Sequence, residues 1–153
     1  MIRPAVPTDV FALMEMGQAF FVEAGWDKHA DFDKESFALT CGTLIDHGVL
    51  LVADKDDGLV GMAGAGFAPA YWNRRVLTAQ ELFWYVEPGH RKGLGGKLMT
   101  ALEDAVRNLG ARLFSMSAEE GLRADALDQL YRRRGYFPTE RLFWKAFGKE
   151  AAA

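Results

Sequence analysis

The chain reads as a mixed α/β domain: one twisted sheet of mixed strand direction, splayed at its central strands, with helices on both faces. Three observations predict this. Apolar residues alternate along the chain between helical spacing and short strand-like runs. Asp56-Asp57-Gly58, a strong turn signal, sits between two such runs and joins them as an antiparallel hairpin. The unit from Leu82 to Ser117 runs strand, turn, helix, strand, which closes only as a crossover between parallel strands.

Met1 to Val6 is a short first strand. Thr8 or Asp9 caps a helix from Val10 to Glu23, with Val10, Leu13, Met14, Gly17, Phe20 and Phe21 at helical spacing, and Gly25 ends it. A second helix spans Asp33 to Asp46, anchored by Phe37, Leu44 and Ile45 and closed by His47-Gly48. Val49 to Ala53 and Leu59 to Phe67 are the hairpin strands. Gly61, Gly64 and Gly66 in the second strand predict close packing or a bulge. Pro69 and Tyr71-Trp72-Asn73 read as loop. Leu82 to Val86 is a nearly unbroken apolar run, the pattern of a central strand buried on both faces. Leu98 to Leu109 is a helix capped by Gly110. Ala111 to Ser117 is a strand, Ala124 to Arg134 a helix stopped by Gly135, and Leu142 to Phe147 the last strand. One domain is expected over residues 1–148, with 149–153 as a frayed tail.

Composition narrows the function classes. The chain has 153 residues, half of them apolar and a quarter charged, and a net charge of −3. That balance argues against general nucleic-acid binding and weakly favours a cationic partner. The single cysteine, Cys41, excludes an internal disulfide and favours a reducing compartment, so the cytoplasm is expected. No apolar run approaches the ~20 residues needed to span a bilayer, and the first residues lack a signal-peptide core. His29, His47 and His90 show no metal-ligand spacing, so no metal is expected.

The chemistry concentrates in His90-Arg91-Lys92-Gly93-Leu94-Gly95-Gly96-Lys97, which follows the central strand and opens a helix. Backbone N–H groups at a helix N-terminus, with the helix dipole, make an anion site. Glycines admit close approach, and Arg91, Lys92 and Lys97 add positive charge, so a diphosphate is the natural guest. A Walker A loop does not fit, since Arg91 stands where its first glycine belongs and Leu98 follows Lys97. A dinucleotide fingerprint does not fit either: Gly93 and Gly95 match its first two glycines, but the third falls on Leu98.

The segment Val86-Glu87-Pro88, then His90 to Gly96, then Lys97-Leu98-Met99 resembles the signature of the GNAT superfamily of N-acetyltransferases. A second resemblance lies in Leu130-Tyr131-Arg132-Arg133-Arg134-Gly135-Tyr136. Together they extend the likeness from Ile2-Arg3 through Lys145. The resemblance implies that the turn amides hold the pyrophosphate of acetyl-coenzyme A, the co-substrate. It also implies that the backbone of Trp84, Tyr85 and Val86 pairs with the pantetheine, and that an N–H there polarises the thioester carbonyl. The turn departs from the family pattern by one residue. Either it is shortened, with His90 in the family's Arg/Gln place and Gly93 as first glycine, or Leu94 replaces the first glycine and Gly96 is the second. Ala124 stands where the family usually has an asparagine.

Tyr131 falls on the family tyrosine near the coenzyme A sulfur. A phenol of pKa ~10 is protonated at neutral pH and suits a departing thiolate of pKa ~8.5; a packed core tyrosine is the other reading. Glu81 opens the central strand and, by alternation, shares a face with Phe83 and Tyr85. Family members often place a base there. A free glutamate near ~4.3 is a poor base for an ammonium near ~10.4, and burial among aromatics or a relaying water would improve it. Trp26, Tyr71 and Trp72 are candidates to wall the acceptor pocket. The Arg132-Arg133-Arg134 run is a solvated helix face, with the adenosine 3′-phosphate as its other reading. The expected activity is direct transfer of an acetyl group to a primary amine, on a small molecule or on a protein or peptide. A non-catalytic acyl-CoA-binding module of the same fold is the alternative, and an interaction protein without cofactor a third reading. Dimerisation is common in the family, so a homodimer is among the expected partners.

Overall fold

The computed structural model describes residues 1–148. The expected tail at 149–153 lies outside them. In order, the elements are β1 (Ile2–Pro4), α1 (Val10–Glu23), α2 (Lys34–His47), β2 (Val49–Lys55), β3 (Gly58–Ala70), β4 (Asn73–Val86), α3 (Arg91–Asn108), β5 (Leu113–Ser115) and α4 (Ala124–Arg133). The sheet order is β1-β2-β3-β4-β5. The first three pairs are antiparallel and β4–β5 is parallel, as the mixed-direction expectation requires. Among the described residues, no helix is long and apolar enough to cross a membrane. The chain forms two compact units: Met1–Gly17 with Lys34–Met116, and Gln18–Asp33 with the chain from Ser117 on.

The first unit carries the sheet. One sheet face packs under α3, where Leu98, Leu102 and Val106 meet Val49, Leu51, Ala63, Ala65, Ala79 and Val86. A Leu→Ala cavity in such a cluster costs about 2–5 kcal/mol. On the other face α2 lies against Gly64, where an added Cβ would come within 2.8 Å of both Leu44 and Phe83. The Phe37 and Phe83 rings meet at 5.3 Å, and Gly17 of α1 leaves room for Phe37. The glycines inside β3 therefore serve packing, as expected. Arg3 on β1 clamps the start of α1 to the end of β2, with one carboxylate oxygen of Asp9 at 2.8 Å and Asp54 at 2.8 Å. The guanidinium holds the Asp9 carboxyl below its ordinary range.

Four sequence expectations change. The residues read as loop around Pro69 belong to strand: β3 continues through Ala70 and β4 starts at Asn73, leaving Tyr71-Trp72 as a two-residue turn. Pro69 is tolerated because β2 ends its pairing at Ala65, so this stretch of β3 lies on an open edge. Leu82, expected inside a doubly buried strand, is exposed. A bulge explains it: Gly64 pairs Phe83 and Ala65 pairs Glu81, so Leu82 is the extra residue. β5 is shorter than expected. Finally, Leu142 to Phe147 forms no strand. A strand needs a neighbour for its ladder, and this segment makes side-chain ring contacts instead. The Arg141 guanidinium lies over the Phe143 ring, the Lys145 ammonium over Phe147, and Trp144 packs edge-on to Trp26 at 5.7 Å.

Candidate active site

β4 runs into one turn of 3-10 helix (Pro88–His90) and then into α3. The helical backbone breaks at Lys92 (φ −61°, ψ 94°) and Gly93 (φ 76°, ψ −16°), so regular helix begins at Leu94. These are the angles of a tight turn whose second central residue must tolerate positive φ; another L-residue there costs about 1–2 kcal/mol. Gly93 is thus the conformationally required glycine, while Leu94 is helical. The regular helix that starts past the break has the positive end of its dipole there.

The turn is braced by its own side chains. Trp84 Nε1 donates to Gly95 O at 3.1 Å, and a Cβ on Gly95 would touch the indole at 3.4 Å. A Cβ on Gly96 would meet nothing within 4 Å. Arg91, expected to add positive charge, donates from Nε to Val86 O at 2.8 Å, lies over the Tyr85 ring and is exposed. His90 Nδ1 lies 3.2 Å from the Lys55 ammonium; with the ammonium donating, that nitrogen is the acceptor. Lys92 and Lys97 are exposed. This arrangement suits an anion: oriented amides, an open side at Gly96, and two lysines at hand.

The C-terminal half of β4 forms an edge. The ladder with β5 covers only Thr78, Ala79 and Gln80, so the sheet splays beyond Gln80. Glu87 N–H donates to Val60 O of β3. By alternation the main-chain groups of Trp84 and Val86 point away from β3, toward the splayed edge; that Val86 O accepts from Arg91 fits this direction. Glu81 is buried, 8% exposed. The bulge corrects its expected face: Glu81 pairs Ala65, on the α3 side with Ala79, while Phe83 and Tyr85 pair Gly64 and Met62. One extra residue reverses every side chain beyond it.

Tyr131 belongs to the second unit. It is the buried residue of α4, and its hydroxyl donates to Ser117 O at 2.6 Å. Gly135 (φ 88°) ends the helix, and Tyr136 N–H turns back to Tyr131 O, bringing the two rings to 5.5 Å. Tyr131 is therefore packed, as the second sequence reading has it, with its hydroxyl oriented toward the Ser117 carbonyl. Arg132 pairs with Asp128 at 2.8 Å on the exposed face, in keeping with a solvated run.

Sequence reasoning missed two features. The Ser117 carbonyl is a main-chain atom with no residue-type signal. The indole of Trp84 as a brace was hidden inside an apolar run, although a tryptophan followed by a glycine turn is a usable hint. Among the described residues no group of three His, Cys, Asp or Glu could hold a metal ion. Cys41 is fully buried, and burial pushes its thiol up to about 11, which suits an inert residue rather than a nucleophile.

The family model described as acetyltransferase (GNAT) family matches residues 12–136. A search of curated proteins gives no match. A predicted acetyltransferase from Clostridium acetobutylicum, crystallised with acetyl-CoA, superposes with a TM-score of 0.75 at 16% identity, covering 95% of this chain and 94% of that one. A GCN5-related N-acetyltransferase from Ralstonia eutropha JMP134 gives 0.73 at 22%, covering 97% and 99%. An aminoglycoside acetyltransferase from an uncultured soil metagenomic sample, in complex with sisomicin, gives 0.69 at 17%, covering 96% and 94%. At these identities the likeness to solved structures is one of fold.

Proposed function

The chain belongs to the acetyltransferase (GNAT) family, and from that premise we propose that it moves an acetyl group from acetyl-CoA directly to a primary amine. The observation that carries this reading is the break at Lys92-Gly93 directly after β4, which supports a diphosphate at the helix start that follows. The residues present fit that guest. Their donor set is amides and ammoniums, and the Gly96 side is open.

In this reading the amides from Gly93 to Lys97, with Lys92 and Lys97, hold the pyrophosphate. His90 and Arg91 shape the turn from behind. The edge formed by Trp84, Tyr85 and Val86 pairs with the pantetheine as an added strand, and an amide there stabilises the oxyanion that develops on the thioester carbonyl. The co-substrate supplies the activated acyl carbon. Glu81 takes the ammonium proton, directly or through a water. The amine nitrogen then attacks, the C–S bond breaks as Tyr131 donates its proton to the departing thiolate, and the second proton shed by the nitrogen returns through water to the Tyr131 phenolate while Glu81 releases the first to solvent. For its donation the Tyr131 O–H must turn from the Ser117 carbonyl, a rotation about one bond. Holding both substrates together contributes through proximity. The acceptor is a small-molecule amine or a protein or peptide amine. An aminoglycoside belongs in the panel because one structural relative is named for that substrate. The lone buried cysteine supports the cytoplasm as the compartment.

Calorimetry with acetyl-CoA, followed by a thiol-release assay over a panel of amines, tests the proposal. Binding with amine-dependent thiol release is the expected result. Tight binding without release from any amine returns the non-catalytic module, and no binding removes the cofactor site.

A further inference from the structure

Trp84 stands two residues before the end of β4, on the stretch of strand proposed to take the pantetheine. Its side chain reaches the other half of the cofactor site. The indole N–H donates to Gly95 O at 3.1 Å, eleven residues along the chain. Gly95 is the second residue of the regular helix past the break. A Cβ built there would meet the indole at 3.4 Å, so the ring lies directly against the helix start. Trp84 and Leu94 also pack on the same core cluster. All of these residues lie in the first unit.

That the partner is a carbonyl matters. Helix carbonyls point toward the C-terminal end and N–H groups toward the N-terminal end. By bonding a carbonyl, the indole fastens the helix start and leaves its N–H groups to a guest. Gly95 O also shares a peptide plane with the N–H of Gly96. A hydrogen bond accepted by that oxygen polarises the peptide and makes the N–H across the plane a stronger donor. The strengthened donor belongs to Gly96, where an added Cβ would meet nothing within 4 Å.

Resting on the acetyl-transfer reading, we infer that Trp84 is a positioning residue for the acyl donor and sets its length: the indole locks the helix start to the strand edge, which favours donors carrying a pyrophosphate beyond the pantetheine over donors that end at the pantetheine. A molecule gripped at two points gains from the second contact only when the spacing of the two is held. The bond from Trp84 to Gly95 spans that spacing. A donor ending at the pantetheine uses the strand edge alone and draws nothing from the bond.

The test uses the full chain labelled with 15N at its tryptophans. Four tryptophans give four indole N–H signals, and the Trp84 signal is identified by its nuclear Overhauser contact with Gly95. At matched occupancy, coenzyme A should move that signal about twice as far as pantetheine or more, because only coenzyme A engages the polarised amide. Titrations followed in the same spectra give the two affinities. Trp84→Phe keeps a ring and removes the N–H, so the ratio of coenzyme A affinity to pantetheine affinity should fall about fivefold or more. Equal movement of the signal by the two ligands overturns the inference in the parent chain, whether or not the variant folds. An equal loss of both affinities in Trp84→Phe overturns it as well, since that is the mark of packing alone. In either case acetyl transfer stands. If coenzyme A does not bind the parent chain, the acetyl-transfer reading falls and this one with it.

Discussion

The glycine turn at the head of α3 and the tyrosine of α4 reach their proposed tasks by opposite means. At the turn the main chain does the work. Gly93 is required for its backbone angle, while the basic side chains of His90 and Arg91 contact Lys55 and the Val86 carbonyl. At Tyr131 a single side-chain oxygen matters, held by one carbonyl at 2.6 Å. A site made of backbone is sensitive to conformation and tolerant of side-chain chemistry. A site made of one hydroxyl is the reverse.

Variants sharpen that contrast in order of expected effect. Gly93→Val places a β-branched residue at φ 76° and should cost acetyl-CoA at least a hundredfold in affinity by calorimetry. Retained affinity would mean that the amides past the break are not the phosphate ligands. Tyr131→Phe should lower kcat by about a hundredfold, the lower end of what positioned proton transfer contributes, with the acetyl-CoA KM within twofold. An unchanged rate would leave Tyr131 as packing only. Glu81→Gln keeps shape and removes the base, so a tenfold or greater loss in kcat, with flattening of the acid limb of the pH–rate profile, is expected. A fall in rate with the limb intact would assign Glu81 to positioning.

The smallest effect lies away from both sites, in the clamp that sets the sheet's first strand. Arg3 lowers the Asp9 carboxyl below its ordinary value. A lowered folded pKa gives stability that is present above the unfolded value, ~3.9, and fades as the pH falls through the folded one. Asp9→Asn should therefore lower Tm at pH 7 by a few degrees, and the gap from the parent chain should shrink as the pH falls below the ordinary carboxylate range. A gap that persists at pH 2 would trace the loss to the Asp9 geometry rather than its charge.

Much of this was readable in the residues. α1 begins and ends where Val10, Glu23 and Gly25 say it should, because helical periodicity and a left-handed glycine are local signals. Gly110 and Gly135 ended their helices for the same reason. The turn was legible as a glycine and basic link from strand to helix, though not its dihedrals, since two glycine alignments fitted and only the structure shows the positive φ at Gly93. Glu81 was found, but on the wrong face, because alternation counts residues and cannot see that Leu82 is extra. The strand read into Leu142 to Phe147 had the right residue types. A ladder, however, is a property of two segments, and its absence is not written in either one.

The sequence by itself determined where helices start and stop, that a parallel crossover surrounds a glycine and basic turn, and which tyrosine and carboxylate deserved testing. Each of these rests on interactions within a few residues or on chain connectivity. Only the tertiary structure decided the bulge at Leu82, the contacts of Arg91 with Val86 O and the Tyr85 ring, the bond from Tyr131 to Ser117, and the meeting of Trp26 with Trp144. Those depend on partners far apart in the chain, where no local preference specifies which groups come together.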